Sequence, residues 1–227
     1  MTAVYAAKIG STVQVMADAA TCHRDGTLFD IKQKIQLSAD GRIAFVGRGS
    51  SILLALIGVM VTELAANRTF DELIVEIERS LEINREKFES FDAELEILVA
   101  GLDEVPRLAV LVTHRHYDGV EPWVFHERNE VGMGPVPTLE QLDAAGINAS
   151  SVMEVGENAL LVYGASIMEM VRRVSGCNYQ DDLGDRFWVG GHADLVVLHQ
   201  QGAFHQRLIE WPEDVIGQKI TPHACAA

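Results

Sequence analysis

The sequence predicts an α+β domain in which two antiparallel sheets carry helices on their outer faces. Three observations lead there. Segments of strand and helix character come in blocks, ordered strands, two helices, strands, two helices, strands, and two sheets covered by helices bury that order economically. Short β-branched and apolar runs are separated by Gly-Ser and Asp-Gly pairs, the chemistry of tight turns. No Ser/Gly linker, low-complexity tract or repeat divides the 227 residues, so one domain over residues 1–227 is expected, long enough to bury a sizeable core.

Strands are expected at Thr2 to Ile9 and Thr12 to Asp18, divided by Gly10-Ser11. Ile31 to Leu37 and Ile43 to Val46 flank a loop whose Asp40-Gly41 pair signals a hairpin. The run from Ser50 to Ala66 is apolar on nearly every face, which predicts a buried helix. Thr69-Phe70-Asp71-Glu72 has the spacing of a capping box. Phe70, Leu73, Ile74, Ile77 and Leu81 then form one apolar stripe on a charged helix. Strands return at Glu94 to Gly101 and Arg107 to Thr113, with a further candidate at Glu121 to His126. Past Gly132-Met133-Gly134-Pro135, a short helix near Leu139 precedes a longer one from Ser151 to Val174, in which Gly164 is read as permitting close packing. Asp194 to Leu198, after Gly190-Gly191, is the last clear strand.

Composition narrows the function classes. With 18 basic and 33 acidic side chains the net charge is -15, and such a surface repels both nucleic-acid phosphate and anionic lipid. Three widely spaced cysteines cannot complete a disulfide framework, so a reducing compartment, the cytoplasm, is expected. The longest apolar run, Ile52 to Val61, is too short to span a bilayer, and no secretory signal is visible. Gly47-Arg48-Gly49 is not followed by the Lys-Ser/Thr of a phosphate loop, and no cofactor is expected. His114, His116 and Asp118 have the types to ligate a metal, although a solvated turn is the favoured reading. His192 and Asp194 are read as a structural pair first and a substitute active-site contact second, and Cys22 has no neighbouring His spacing that would mark it as a nucleophile.

The N-terminus carries the strongest chemical signal. Met1 precedes Thr2, a pair that methionine aminopeptidases generally accept, and its removal would expose an α-amine with a pKa of about 7.7–8.0. A threonine hydroxyl needs a base to become a nucleophile, and an N-terminal threonine holds both groups in one residue. The plainer reading makes Thr2 an ordinary strand residue behind a retained methionine. Asp18 closes an otherwise apolar strand and Lys34 sits beside Ile35; both are ordinary strand-end charges or, together, a means to lower the hydroxyl's pKa.

Those residues carry a resemblance. The chain is similar to the proteasome-type N-terminal nucleophile hydrolases, especially proteasome β subunits and the related bacterial ATP-dependent peptidase. In that family a functional Asp and a functional Lys follow the N-terminal Thr at +16 and +32, where this chain has Asp18 and Lys34 after Thr2. Phe45-Val46-Gly47-Arg48-Gly49-Ser50 resembles the glycine turn whose N–H groups form the family's oxyanion hole. The resemblance implies a four-layer α-β-β-α sandwich of two antiparallel sheets flanked by helices. It further implies threonine-type amide hydrolysis with Thr2 as nucleophile, Lys34 lowering the hydroxyl's pKa, Asp18 orienting Lys34, and the N–H of Gly47 or of one of the next two residues at the oxyanion. A ring-type homo-oligomer acting on peptide or unfolded protein also follows from it, and the sequence identifies no regulatory ATPase.

Departures from the family pattern concern its polar second shell. Met133 stands where the family's Gly-Ser-Gly segment brings a serine near the threonine, so a serine at 133 is expected to raise the rate if that shell is limiting. In the Asp-x-x-Ser-Gly-Gly motif, Val189 takes the Ser position and Arg186 the Asp position, with Asp185 one place away. These changes support a rival reading, a non-catalytic subunit that assembles or scaffolds.

Overall fold

The computed structural model describes residues 2–90, 94–114, 120–175 and 186–222. Along the chain, β1 (Val4–Ile9) and β2 (Thr12–Asp18) form the expected hairpin, with Val4 opposite Ala17. β3 (Ala20–Cys22) and β4 (Leu28–Ile31) make a small ribbon. The predicted strand from Ile31 to Leu37 is a correction: only β5 (Gln36–Leu37) pairs with β6 (Ile43–Arg48), and Lys34 lies in extended loop. Its ammonium is used in side-chain contacts across the molecule, and the backbone there leaves the ladder. Helix α1 (Ser51–Ala65) leads to α2 (Phe70–Ile83), whose Thr69 and Glu72 make the expected reciprocal cap. A short α3 (Arg85–Ser90) follows, which the pattern did not announce.

β7 (Glu96–Leu102) and β8 (Pro106–Val112) match their predicted places within two residues. The candidate at Glu121 to His126 contracts to β9 (His126–Glu127), and β10 (Glu130–Met133) forms where no strand was expected. After α4 (Leu139–Ala144), the long helix predicted from Ser151 is broken into α5 (Ala149–Val155), a 3-10 turn at Gly156–Asn158 and α6 (Ala159–Arg172). Gly156 has φ +59°, outside any right-handed helix, which ends α5. β11 (His192–His199) extends the last predicted strand, and β12 (Gly202–Glu210) adds a mostly exposed edge.

Two five-stranded sheets result, ordered β10-β1-β2-β11-β12 and β5-β6-β7-β8-β9, with every pairing antiparallel. Alternation along each strand sends residues to two faces, and the apolar clusters follow it. Val4, Val13, Val15 and Val196 of one sheet share a cluster with Ala44, Val46, Leu98 and Leu108 of the other. On the far face of the second sheet, Phe45, Ile97 and Val99 pack with Leu53 and Ile57 of α1 and Leu73 and Ile77 of α2. On the far face of the first, Met16, Ala193 and Leu195 pack with Met168 and Val171 of α6. Gly164 lets α6 come close: a Cβ there would meet Leu208 Cδ1 at 2.7 Å and Met16 Sδ at 2.9 Å. Helix α1 departs from expectation, since Ile52, Leu56 and Val59 form an exposed stripe. Among the described residues no helix is long and apolar enough to cross a membrane.

Candidate active site

Residue 18 is where β2 leaves its sheet, and the local backbone turns toward its carboxylate. Oδ1 accepts from the N–H of Ala3 at 2.9 Å, and Oδ2 from the N–H of Ala20 at 3.1 Å and of Gly190 at 3.4 Å. The Asp18 N–H in turn donates to the carbonyl of Ala3 at 3.2 Å. This lattice clamps the segment from Thr2 to Ala3 against the end of β2. The Asp18 side chain is fully buried, and a carboxylate holds its charge there only with such donors around it.

Lys34 completes the set. Its Nζ donates to Asp18 Oδ1 at 3.1 Å, to Thr2 Oγ1 at 2.9 Å and to the carbonyl of Ala20 at 2.6 Å. An ammonium has three protons, and each has an acceptor. Burial pushes the Lys34 ammonium below its ordinary range, while the Asp18 charge and hydrogen bond pull against that effect. Thr2 is itself buried, and its hydroxyl oxygen receives a charged donor, the arrangement that stabilises an alkoxide as it forms.

These groups open on a cleft of about 330 Å³ lined by Thr2, Lys34, Cys22, Gly47 and the first turns of α1. Gly47 is fixed in type by close approach. A Cβ at that position would lie 2.4 Å from Leu54 Cδ2 and 2.9 Å from the carbonyl oxygen of Glu96, which is backbone and cannot yield. β6 also outruns β5, which pairs only with Ala44 and Phe45. From Val46 to Arg48, β7 is therefore the only strand among the described residues paired with β6, so the other edge of Gly47 has no strand beside it, and Gly47 lines the cleft.

The sequence-predicted residues Thr2, Asp18 and Lys34 thus meet within hydrogen-bonding distance, and Gly47 lines the same cleft. Met1 lies outside the described residues. So do His116, Asp118 and Asp185; among the described residues no group of three His, Cys, Asp or Glu side chains could hold a metal. His192 and Asp194 are in contact at 3.0 Å, joined by Arg207 and His205, on β11 and β12 and outside the cleft lining. Cys22 does line the cleft, but burial pushes its thiol up to about 11, so it is a protonated wall group at neutral pH. Val189 is buried in the cluster beneath α6, and Arg186 donates to the carbonyl of Arg24 at 3.0 Å. Met133, opposite Val4, is buried in the cluster between the sheets. Sequence reasoning missed the backbone partners, the Ala20 carbonyl and the Gly190 N–H, because no residue type marks a main-chain group.

No protein-family model matches the chain, and no curated protein sequence matches it.

Proposed function

We propose that the protein is an N-terminal threonine amide hydrolase with the proteasome-like four-layer α-β-β-α architecture. One observation carries the reading: a single buried lysine ammonium bridges Thr2 Oγ1 and Asp18 Oδ1 at 2.9 and 3.1 Å. Removal of Met1 frees the α-amine of Thr2, which an acylated nitrogen cannot replace as a base. Oγ1 then bonds to the substrate carbonyl carbon while the α-amine takes the hydroxyl proton. Lys34 stabilises the developing negative oxygen on Thr2, and N–H groups of the Gly47 segment hold the oxyanion. Collapse breaks the C–N bond, the leaving amine takes the proton, and an ester remains on Thr2. Water attacks that ester and gives a proton to the Thr2 α-amine; the C–O bond then breaks, the acid leaves, and the α-amine returns the proton to Oγ1. The substrate, as the resemblance implies, is a peptide or unfolded segment. The exposed stripe Ile52, Leu56 and Val59 supports a further part of the proposal, a homo-oligomeric ring, because apolar patches of this kind mark subunit contacts.

The rival reading, a non-catalytic assembly subunit, draws on Met133 and Val189, buried apolar side chains where the resemblance calls for hydroxyls. One experiment separates the two. Protein made from its native start codon is checked by intact mass for loss of methionine, then treated with an electrophilic peptide that captures N-terminal threonine. Stoichiometric labelling at Thr2 is expected. Quantitative retention of Met1, or no labelling after confirmed removal, overturns the enzyme in favour of the scaffold. Light scattering on the same sample is expected to show a multi-subunit particle.

A further inference from the structure

Val189 and Arg186 leave the Gly190-Gly191 turn without the Asp and Ser that accompany it in the resembled motif, yet the turn still reaches Asp18. What holds it comes from the other end of the chain. Arg172, the last residue of α6, is 1% exposed and donates through one guanidinium nitrogen to the Val189 carbonyl at 3.0 Å and to Asp214 Oδ2 at 2.7 Å. Its second nitrogen donates to Asp214 Oδ1 at 2.7 Å, a two-pronged pair, and to Glu213 Oε1 at 3.2 Å. Asp214 Oδ2 also accepts the Gly191 N–H at 2.6 Å. The Gly191 carbonyl accepts the Trp211 N–H at 2.9 Å, and the guanidinium lies 4.7 Å from the centre of that indole.

This assembly explains why residue 190 is glycine. A Cβ at 190 would sit 2.3 Å from Asp214 Oδ2 and 2.8 Å from an Arg172 nitrogen, so the turn and the ion pair fit together only without a side chain. On its opposite side the turn grips the active-site strand. The Gly190 N–H donates to Asp18 Oδ2 at 3.4 Å, and the Gly190 carbonyl accepts from Ala20 at 3.0 Å and Ala19 at 3.3 Å. Ala20 is also the residue whose carbonyl holds Lys34 Nζ.

We propose that Arg172 and Asp214 are positioning residues that hold Gly190 and Gly191 in place, and through them the donors of Asp18 and the Ala20 acceptor of Lys34. The proposal rests on the threonine-hydrolase reading for its catalytic consequence, whereas the structural linkage to Lys34 stands apart from it. An arginine fork suits this task because its planar, permanently charged donors fix a direction that a lysine would not.

The test compares wild type with Gly190→Ala, which keeps every charge, and with Arg172→Lys and Asp214→Asn. Glu213→Gln serves as a control at the solvent-exposed end of the network. The first readout needs no turnover: the titration midpoint of the Lys34 ammonium, followed by NMR in lysine-labelled protein. Displacing the turn removes a donor from Asp18 and lets water reach Lys34, and both effects favour the charged amine. The midpoint is therefore expected to rise by about half a pH unit or more in Gly190→Ala and less in Arg172→Lys, with Glu213→Gln unchanged. The second readout is the rate of Thr2 capture by the electrophilic peptide, expected to fall about 100-fold in Gly190→Ala with weaker effects on probe binding. If Asp214→Asn does not fold, Gly190→Ala and Arg172→Lys still decide the matter. A folded Gly190→Ala with an unmoved Lys34 midpoint overturns the clamp. A moved midpoint in a protein whose wild type never captures the probe supports the clamp and sinks the threonine mechanism instead.

Discussion

Lys34–Asp18 and Arg172–Asp214 are both buried cation–carboxylate pairs, and both touch the same glycine turn. Their construction differs. Arg172 meets Asp214 with two nitrogens at 2.7 Å and both side chains are 1% exposed, so the pair is closed and held in a two-pronged geometry. Lys34 offers one ammonium at 3.1 Å, shares it with a hydroxyl and a carbonyl, and keeps 10% of its side chain exposed toward the cleft. A compact ammonium on a flexible stem can shift its proton affinity and hand charge to whichever oxygen needs it. The fork fixes geometry, and under the proposed mechanism the lysine takes part in chemistry. On that proposal the molecule uses the same pair of charges for rigidity in one place and for reactivity in another.

The largest effects should come from breaking the reactive pair. Thr2→Ala is expected to abolish probe capture and peptide turnover, since it removes the only oxygen that can carry the acyl group. Lys34→Ala is expected to cost about 100- to 10,000-fold in the same assays, within the range for loss of a positioned proton or charge partner. Neither should unfold the protein, because both side chains line the cleft; circular dichroism and an unchanged melting profile for Thr2→Ala check this.

Stability should rank the pairs the other way. Asp214→Asn leaves a fully buried guanidinium that cannot lose its proton and weakens the acceptor of the Gly191 N–H, with an expected loss of about 3–5 kcal/mol. Asp18→Asn also strips charge from a buried cation, but Lys34 is already displaced toward its neutral form and can release the proton. Its loss is expected to be smaller. Urea titrations of the two variants at one pH test the ordering, and equal losses would erase the distinction between fork and lysine.

Much of this contrast was hidden in the sequence, for definable reasons. Thr2, Asp18 and Lys34 were legible because their types and intervals match those of the resembled family. Arg172 and Asp214 stand 42 residues apart and work through main-chain groups of Gly190 and Gly191, so no local spacing announces them. The fold shows the same division. The β1–β2 hairpin and the Thr69–Glu72 cap were readable because turn chemistry and capping are local. β10 and β12 were not, because edge strands with polar, exposed residues lack the alternation that marks a half-buried strand. The exposed stripe of α1 could not be foreseen either, since an apolar helix surface reveals what it buries only once its neighbours are known.

Met133 sharpens the comparison at intermediate scale. From the family pattern a serine at this position would restore a hydroxyl near Thr2 and raise the rate. The structure changes that expectation: the Met133 side chain is 2% exposed in the apolar cluster between the sheets, facing Val4. Met133→Ser removes packed volume and buries a hydroxyl, with an expected cost of about 2–4 kcal/mol and a melting temperature several degrees lower. Thermal unfolding of the variant tests this, and an unchanged melting temperature with a faster capture rate would return Met133 to the active-site shell.

The smallest effect is also the most direct test of the reactive lysine. In the folded protein Lys34 releases its proton below its usual value of 10.5, because burial disfavours the ammonium. Between its folded value and 10.5 the unfolded chain binds more protons at this site than the native protein does. Stability from Lys34 therefore rises with pH across that window, is complete above 10.5, and is lost as pH falls through the folded value. The slope from one such group is at most about 1.4 kcal/mol per pH unit. Other groups titrate in the same range, so the informative quantity is the difference between wild type and Lys34→Arg, whose guanidinium keeps its proton throughout. That difference, read from urea titrations between neutral pH and pH 10, is expected to move in favour of wild type as pH rises. Catalysis should move in the opposite sense: once the ammonium deprotonates, Thr2 loses its charged donor and probe capture declines below pH 10.5. A stability difference that stays flat with pH, together with capture that keeps climbing past that point, would show that Lys34 holds its proton as firmly as Arg172 and that the two pairs are alike after all.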